Sequence, residues 1–181
     1  FTPFFRRGCL GLGEPPKPEP KPKSLNFIKA PENSITIDGL GLLPTRPRWD
    51  QKMESYWSIG ETGAKKRFEN FLKEGLSNYK DGRNIPSAPH VSRLSPHLHF
   101  GEISPRMIWH TIRQMMTAEG LEKDGDHFLS ELGWREFSHS LLYFNHTLPT
   151  DPLQVRFNQF PWADDPVGLE AWKRGQTGYP I

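Results

Sequence analysis

Residues Glu14, Pro15, Pro16, Lys17, Pro18, Glu19, Pro20, Lys21, Pro22 and Lys23 alternate proline with charge. Proline removes the backbone donor that a helix or a central strand needs, and the charges keep the run in water. The stretch favours extended polyproline II and cannot enter a core, so it reads as an interdomain linker. It divides the chain into a short apolar head, residues 1–13, and a longer segment that must supply its own core. A ligand for a proline-binding module is the lesser reading of the same run.

The chain has 181 residues, enough for one domain with a real core. Its mean hydropathy of −0.67 is polar for a complete globular domain, and its prolines explain part of that. A formal net charge of +2 gives no global basic signature, so any nucleic-acid site must be a local patch. The single cysteine, Cys9, excludes an intrachain disulfide and a cysteine-based zinc site, which fits a reducing cytoplasm. No apolar run is long enough to span a membrane. The sequence starts at Phe1 without a Met and stops where an apolar run begins, so it is expected to be a piece of a longer protein.

Beyond the linker, residues 24–50 hold turn residues and little periodicity. A helix is expected from about Ser58 to Leu76, with Ser58 and Glu61 at capping-box spacing and Phe68, Phe71 and Leu72 on one face. Ser95 before Pro96 and Ser104 before Pro105 each place a capping serine ahead of a proline at a first helical position. Helices should therefore run from Pro96 to near Gly101 and from Pro105 to about Gly120. Further helices are expected over about Asp126–Asn145 and Pro166–Arg174, the last stopping at Gly175. No alternating strand pattern is evident, and the fold class is all-α.

Three segments carry chemistry. In Ser92–Arg106, two serines and Arg93 surround a helix start, where hydroxyls, free N–H groups and positive charge suit an anion. Plain capping is the simpler reading of those residues alone. In Phe128–Phe137, the residues Phe128, Glu131, Trp134 and Arg135 share one broad helical face. They can line a pocket for a polar aromatic ligand. Spacing alone favours a core stripe with a Glu131–Arg135 pair. The third segment, Phe160–Pro180, is rich in aromatics and glycine, consistent with a packed helix and turn. The pairs His97/His99 and His139/His146 have no carboxylate cluster beside them and suggest no metal site.

The three segments, in this order, resemble the DNA photolyase/cryptochrome family. The resemblance rests on Ser92-Arg93-Leu94-Ser95-Pro96 with Phe100-Gly101 and Ser104-Pro105-Arg106, on Glu131-Leu132-Gly133-Trp134-Arg135-Glu136-Phe137, and on Ala171-Trp172-Lys173-Arg174-Gly175-Gln176-Thr177-Gly178-Tyr179-Pro180. It covers the whole chain and is most like the bacterial class I cyclobutane pyrimidine dimer photolyases. It implies that residues 1–45 are the end of an antenna domain with its linker. Residues 46–181 would then be the N-terminal part of a helical FAD-binding domain.

The family's FAD-phosphate contacts match Tyr79, Val91, Ser92, Arg93, Leu94, Ser95 and Arg135. Val91 stands where threonine is common, so there only the backbone N–H can serve. Phe128 takes the place of a flavin-side tryptophan. Glu131 matches the acid that hydrogen-bonds a pyrimidine dimer, Trp134 the indole that stacks on it, and Arg83 a DNA-phosphate contact. Trp162 matches the surface end of a tryptophan chain that reduces FAD under light, and Trp172 is mainly structural. The resemblance thus implies a light-driven DNA-repair enzyme that binds FAD and damaged DNA, a cytoplasmic monomer without membrane contact. A folate or deazaflavin antenna would sit in a domain ahead of Phe1. A cryptochrome photoreceptor and a (6-4) photolyase are the alternatives. The inner tryptophans and flavin-ring contacts would follow Ile181, so this chain alone should bind FAD poorly.

Overall fold

The structure is a computed structural model that describes residues 1–179; Pro180, which closes the third motif, and Ile181 lie outside them. Among the described residues the regular structure is helical, with no strand. Residues Phe4–Cys9 form a widened π-type turn that tightens into a 3₁₀ turn over Leu10–Leu12. The proline run takes up no helix or strand and is mostly exposed. Its first residues are nevertheless tied down: the Arg113 Nε donates to the Glu14 carboxylate at 3.2 Å, and His110 Nε2 lies 2.9 Å from the Pro15 carbonyl. Residues 24–50 are irregular apart from a 3₁₀ turn at Asp38–Leu40.

A short helix, α1, spans Gln51–Glu54. The next, α2, covers Glu61–Asn70 and continues as a π-type turn through Phe71–Gly75, close to the span expected from sequence. Its start differs from the capping box. Gly60, at φ 94°, is the cap, and no side chain caps the helix. Ser58 is turned beneath the helix with its carbonyl where a Cβ on Gly63 would sit, so its hydroxyl does not take up the capping position.

Helix α3 is one turn, Tyr79–Gly82, and α4 is Ser95–His99. Ser95 is the first residue of α4 rather than its cap, because the buried Leu94 carbonyl already accepts the Leu98 N–H at 2.9 Å. Helix α5, Pro105–Glu119, begins after extended Ser104 and ends at left-handed Gly120, as the sequence signals require. Helix α6 runs Glu122–Phe144 and starts four residues before the expected Asp126. The extra turn is held from Leu121, whose carbonyl accepts the Gly125 N–H at 2.8 Å. Helix α7, Pro166–Lys173, is capped by the Asp165 carboxylate, which accepts the Gly168 N–H at 2.8 Å.

The chain forms two compact units, one from Phe1 to Phe137 and one from Ser138 onward. In the first, α5 contributes Ile108, Ile112 and Met116, a single stripe at four-residue spacing. Opposite it α6 contributes Phe128, Leu129 and Leu132, while α2 and its extension contribute Ala64, Phe68 and Phe71. Burying each large side chain contributes about 1.5–3 kcal/mol. Gly125 makes the α5–α6 crossing close, since a Cβ there would strike the Met116 side chain. The second unit holds the last residues of α6, a 3₁₀ turn at Val155–Gln159, and α7.

Candidate functional site

Tyr79, Arg83 and Glu131 meet although 48 residues separate the last two. Tyr79 opens α3 and is only 7% exposed, with its ring edge-on to Phe71 at 5.6 Å and to Phe128 at 5.2 Å. Burial pushes its phenol pKa up. One turn later Arg83 reaches back over that ring, its guanidinium 5.5 Å from the ring centre and its Nη1 3.5 Å from the hydroxyl. The same Nη1 donates a hydrogen bond to Glu131 Oε1. This bond, with the Glu131 charge, raises the Arg83 pKa and keeps the guanidinium cationic. Among the described residues, Arg83 makes no hydrogen bond from Nε or Nη2. Those donors remain for a phosphate oxygen.

Val91, Ser92 and Arg93 line a separate cleft of about 380 Å³, completed by Ser58, Lys66, Arg67, Asn70 and Glu74. Arg93 is in the left-handed region at φ 53°, a turn that presents its neighbours to the cleft. Three cations, two serine hydroxyls and an amide form a donor set that fits a phosphate group, the chemistry a flavin dinucleotide needs. Leu94 is 1% exposed and offers backbone only, and Ser95 opens α4 behind it. Phe71 is shared, lining the cleft and packing against Tyr79 and Phe128.

The helical face read as Phe128, Glu131, Trp134 and Arg135 divides in two. Phe128 is 5% exposed and packs at a tilt against Phe71, ring centres 4.8 Å apart, so that end of the stripe is core. Trp134 is 44% exposed, and the Phe1 ring stacks on it at 3.6 Å. The Glu131–Arg135 pair suggested by spacing does not form: Arg83 takes Glu131, and Arg135 donates to Glu136 at 2.7 Å. In the second unit Trp162 is 80% exposed, with Phe160 beside it at 4.6 Å, and Trp172 is 70% exposed rather than packed.

Sequence reading missed Lys66, Arg67 and Asn70, which enter the cleft only because α2 lies against the 91–93 loop. Their one signal was a cluster of cations beside the apolar face of α2. It also missed the buried pairing of His97 Nδ1 with the Glu102 carboxylate at 2.5 Å, which holds the Glu102 pKa below its usual range. No cluster that could hold a metal ion exists among the described residues. No helix among them is long and apolar enough to cross a membrane.

An all-helical domain with a phosphate-type cleft and an Arg–Glu–Tyr cluster near an exposed indole has the features that a helical nucleotide-cofactor domain would need. Comparison with known proteins narrows the class. Residues 128–181 match the family model for the FAD binding domain of DNA photolyase. A deoxyribodipyrimidine photo-lyase of Agrobacterium fabrum is 39% identical over 181 residues, which is all of this chain and 37% of that protein. Cryptochrome-1 of Arabidopsis thaliana is 36% identical over 132 residues, 69% of this chain and 19% of that protein. The crystal structure of a bacterial class III photolyase from Agrobacterium tumefaciens superposes with a TM-score of 0.89 at 38% identity, over 99% of this chain and 37% of that one. The class I likeness read from the motifs thus stands beside a class III structural neighbour. The chain belongs to the DNA photolyase/cryptochrome family and spans about 37% of the length of these photolyase relatives.

Proposed function

We propose that the protein binds FAD and, under light, repairs cyclobutane pyrimidine dimers in DNA. The observation that carries this reading is the Arg83–Glu131 pair on the same stretch of α6 as exposed Trp134. It combines a phosphate-binding cation, a carboxylate and a stacking surface, the three groups an extrahelical dimer needs. The match of the whole chain to part of proteins named deoxyribodipyrimidine photo-lyase supports it.

The chain's own groups have separate tasks. Ser92, Arg93 and the Val91 backbone, joined by Lys66 and Arg67, would hold the FAD phosphates, with Leu94, Ser95, Tyr79 and Arg135 around them and Phe128 on the flavin side. Bound FAD supplies a light-driven one-electron reduction. Trp134 supplies a stacking platform, from which Phe1 must turn away. Glu131 retains Oε2 for a hydrogen bond to the dimer, while Arg83 holds Oε1 in place and turns its remaining donors to a DNA phosphate. Trp162 is the exposed end of the route by which an electron enters. The same reading makes the protein a cytoplasmic monomer served by a folate or deazaflavin antenna. A cryptochrome is the second reading, favoured by the Arabidopsis match and by Glu131 being engaged already. A (6-4) lesion is an alternative substrate.

The test uses FAD-loaded protein and DNA containing a thymine dimer. Glu131→Ala should lower repair per absorbed photon more than it lowers affinity, since one hydrogen bond to a charged partner contributes about 1.5–3 kcal/mol. Arg83→Ala should weaken binding to damaged and undamaged DNA alike and flatten its salt dependence. Normal repair by Glu131→Ala would overturn the lesion-pocket assignment. No repair by the parent protein, with FAD photoreduction intact, would favour the cryptochrome reading.

A further inference from the structure

We propose that Asp124 is a positioning residue for the Tyr79–Arg83–Glu131 cluster, holding α3 in register on α6. The proposal rests on the reading of Arg83 as a DNA-phosphate contact. Asp124 is half-buried in the first turn of α6 and uses both carboxylate oxygens across the chain. Oδ2 accepts the Asn78 N–H at 2.9 Å and Oδ1 accepts the Lys80 N–H at 2.8 Å. The carboxylate therefore brackets Tyr79, the residue between them, by its flanking amides.

That grip is needed because α3 cannot hold itself. A single turn lies below the length at which helix formation is self-sustaining. Its N-terminal neighbour Asn78 is at φ 64°, a left-handed backbone that a non-glycine residue adopts only when held there. At the other end Arg83 is tied to Glu131, seven residues beyond Asp124 and so on the same face of α6. Two acids two turns apart thus fasten α3 at both ends. The Lys123–Asp81 pair at 3.3 Å lies alongside, but both side chains are 66% exposed and it cannot replace either tie. Tyr79 itself stays anchored between Phe71 and Phe128. Loss of Asp124 should therefore fray the turn and release the approach of Arg83 without dissolving the core.

The experiment compares Asp124→Ala, Asp124→Asn, Arg83→Ala and the Asp124→Ala/Arg83→Ala pair in the full chain. It measures amide hydrogen exchange at Asn78 and Lys80, and binding to a thymine-dimer duplex as a function of salt. Asp124→Ala should lose protection at both amides by about tenfold or more, the loss of a hydrogen bond to a charged group. Asp124→Asn, with one acceptor oxygen left, should keep protection at one. Both Asp124→Ala and Arg83→Ala should reduce the salt slope by about 0.9, the value of one phosphate contact, and the pair should reduce it no further. A general loss of stability would not produce that non-additivity. Retained protection in Asp124→Ala, or a parental slope there when Arg83→Ala lowers it, would overturn the positioning role and leave the phosphate reading standing. A parental slope in Arg83→Ala would overturn the phosphate reading and this proposal with it. If Asp124→Ala does not fold, the near-isosteric Asp124→Asn decides: unchanged exchange at both amides overturns the role.

Discussion

His97 shows how a single side chain acquires a task that its neighbours in sequence do not reveal. It is 2% exposed, its ring edge faces Trp57 at 6.1 Å, and its Nδ1 meets Glu102 at 2.5 Å. The pair straddles the turn that carries the chain from α4 to α5, so it braces the helix that follows the 91–95 loop. The bond to His97 lowers the Glu102 pKa in the folded state. A carboxylate with a depressed folded pKa stabilises the fold above its unfolded pKa, and that contribution disappears as pH falls through the folded value. The protein should therefore melt higher than Glu102→Gln at neutral pH. The gap should close as the pH is lowered from about 6 toward 3, through and below the ordinary carboxylate range. Thermal unfolding of both proteins across that range is the check, and a gap independent of pH would show that ionised Glu102 contributes nothing through this pair. The sequence reading weighed His97 only as a metal ligand, because a partner five residues away across a turn has no helical or strand period to reveal it.

At the scale of elements, α5 was the most legible. Pro105 and Gly120 act on the backbone within one turn, so the observed Pro105–Glu119 follows from local chemistry. Its stripe is also the core, and Ile112→Ala should cost about 2–5 kcal/mol in a urea titration, since Ile112 is fully buried. The first residues dock on α6 differently. Phe5 lies where a Cβ on Gly133 would be, and Phe1 stacks on Trp134 one residue further along. Gly133→Ala should push this segment off the helix. The overpacking cost is about 1–3 kcal/mol. Tryptophan fluorescence should shift as Phe1 leaves the Trp134 ring; an unchanged spectrum with unchanged stability would mean the contact contributes nothing. No sequence period announced this docking, because Gly133 matters here for the side chain it lacks.

For the whole molecule the net charge of +2 gives no global basic signature, and under the proposed function DNA recognition would depend on where the charges gather. They gather in the first unit, as Arg83 on Glu131 and as Lys66, Arg67 and Arg93 around one cleft. In the second unit Trp162 stands open to solvent. With FAD bound, Trp162→Phe should slow light-driven reduction of the oxidised cofactor while sparing repair by cofactor already reduced. Flash photolysis and a repair assay on the same sample separate the two, and photoreduction at the parental rate would make Trp162 a surface residue only. The sequence by itself determined the helical class, most helix spans and the family, because periodicity, Ser-Pro and Gly signals and the three motifs act locally or in fixed order. Tertiary structure alone decided that Glu131 pairs with Arg83 instead of Arg135, that Phe128 is core, that Gly60 rather than Ser58 caps α2, and that Asp124 grips α3. Each of these is a competition between partners far apart in the chain, and only the packed fold sets the distances that settle it.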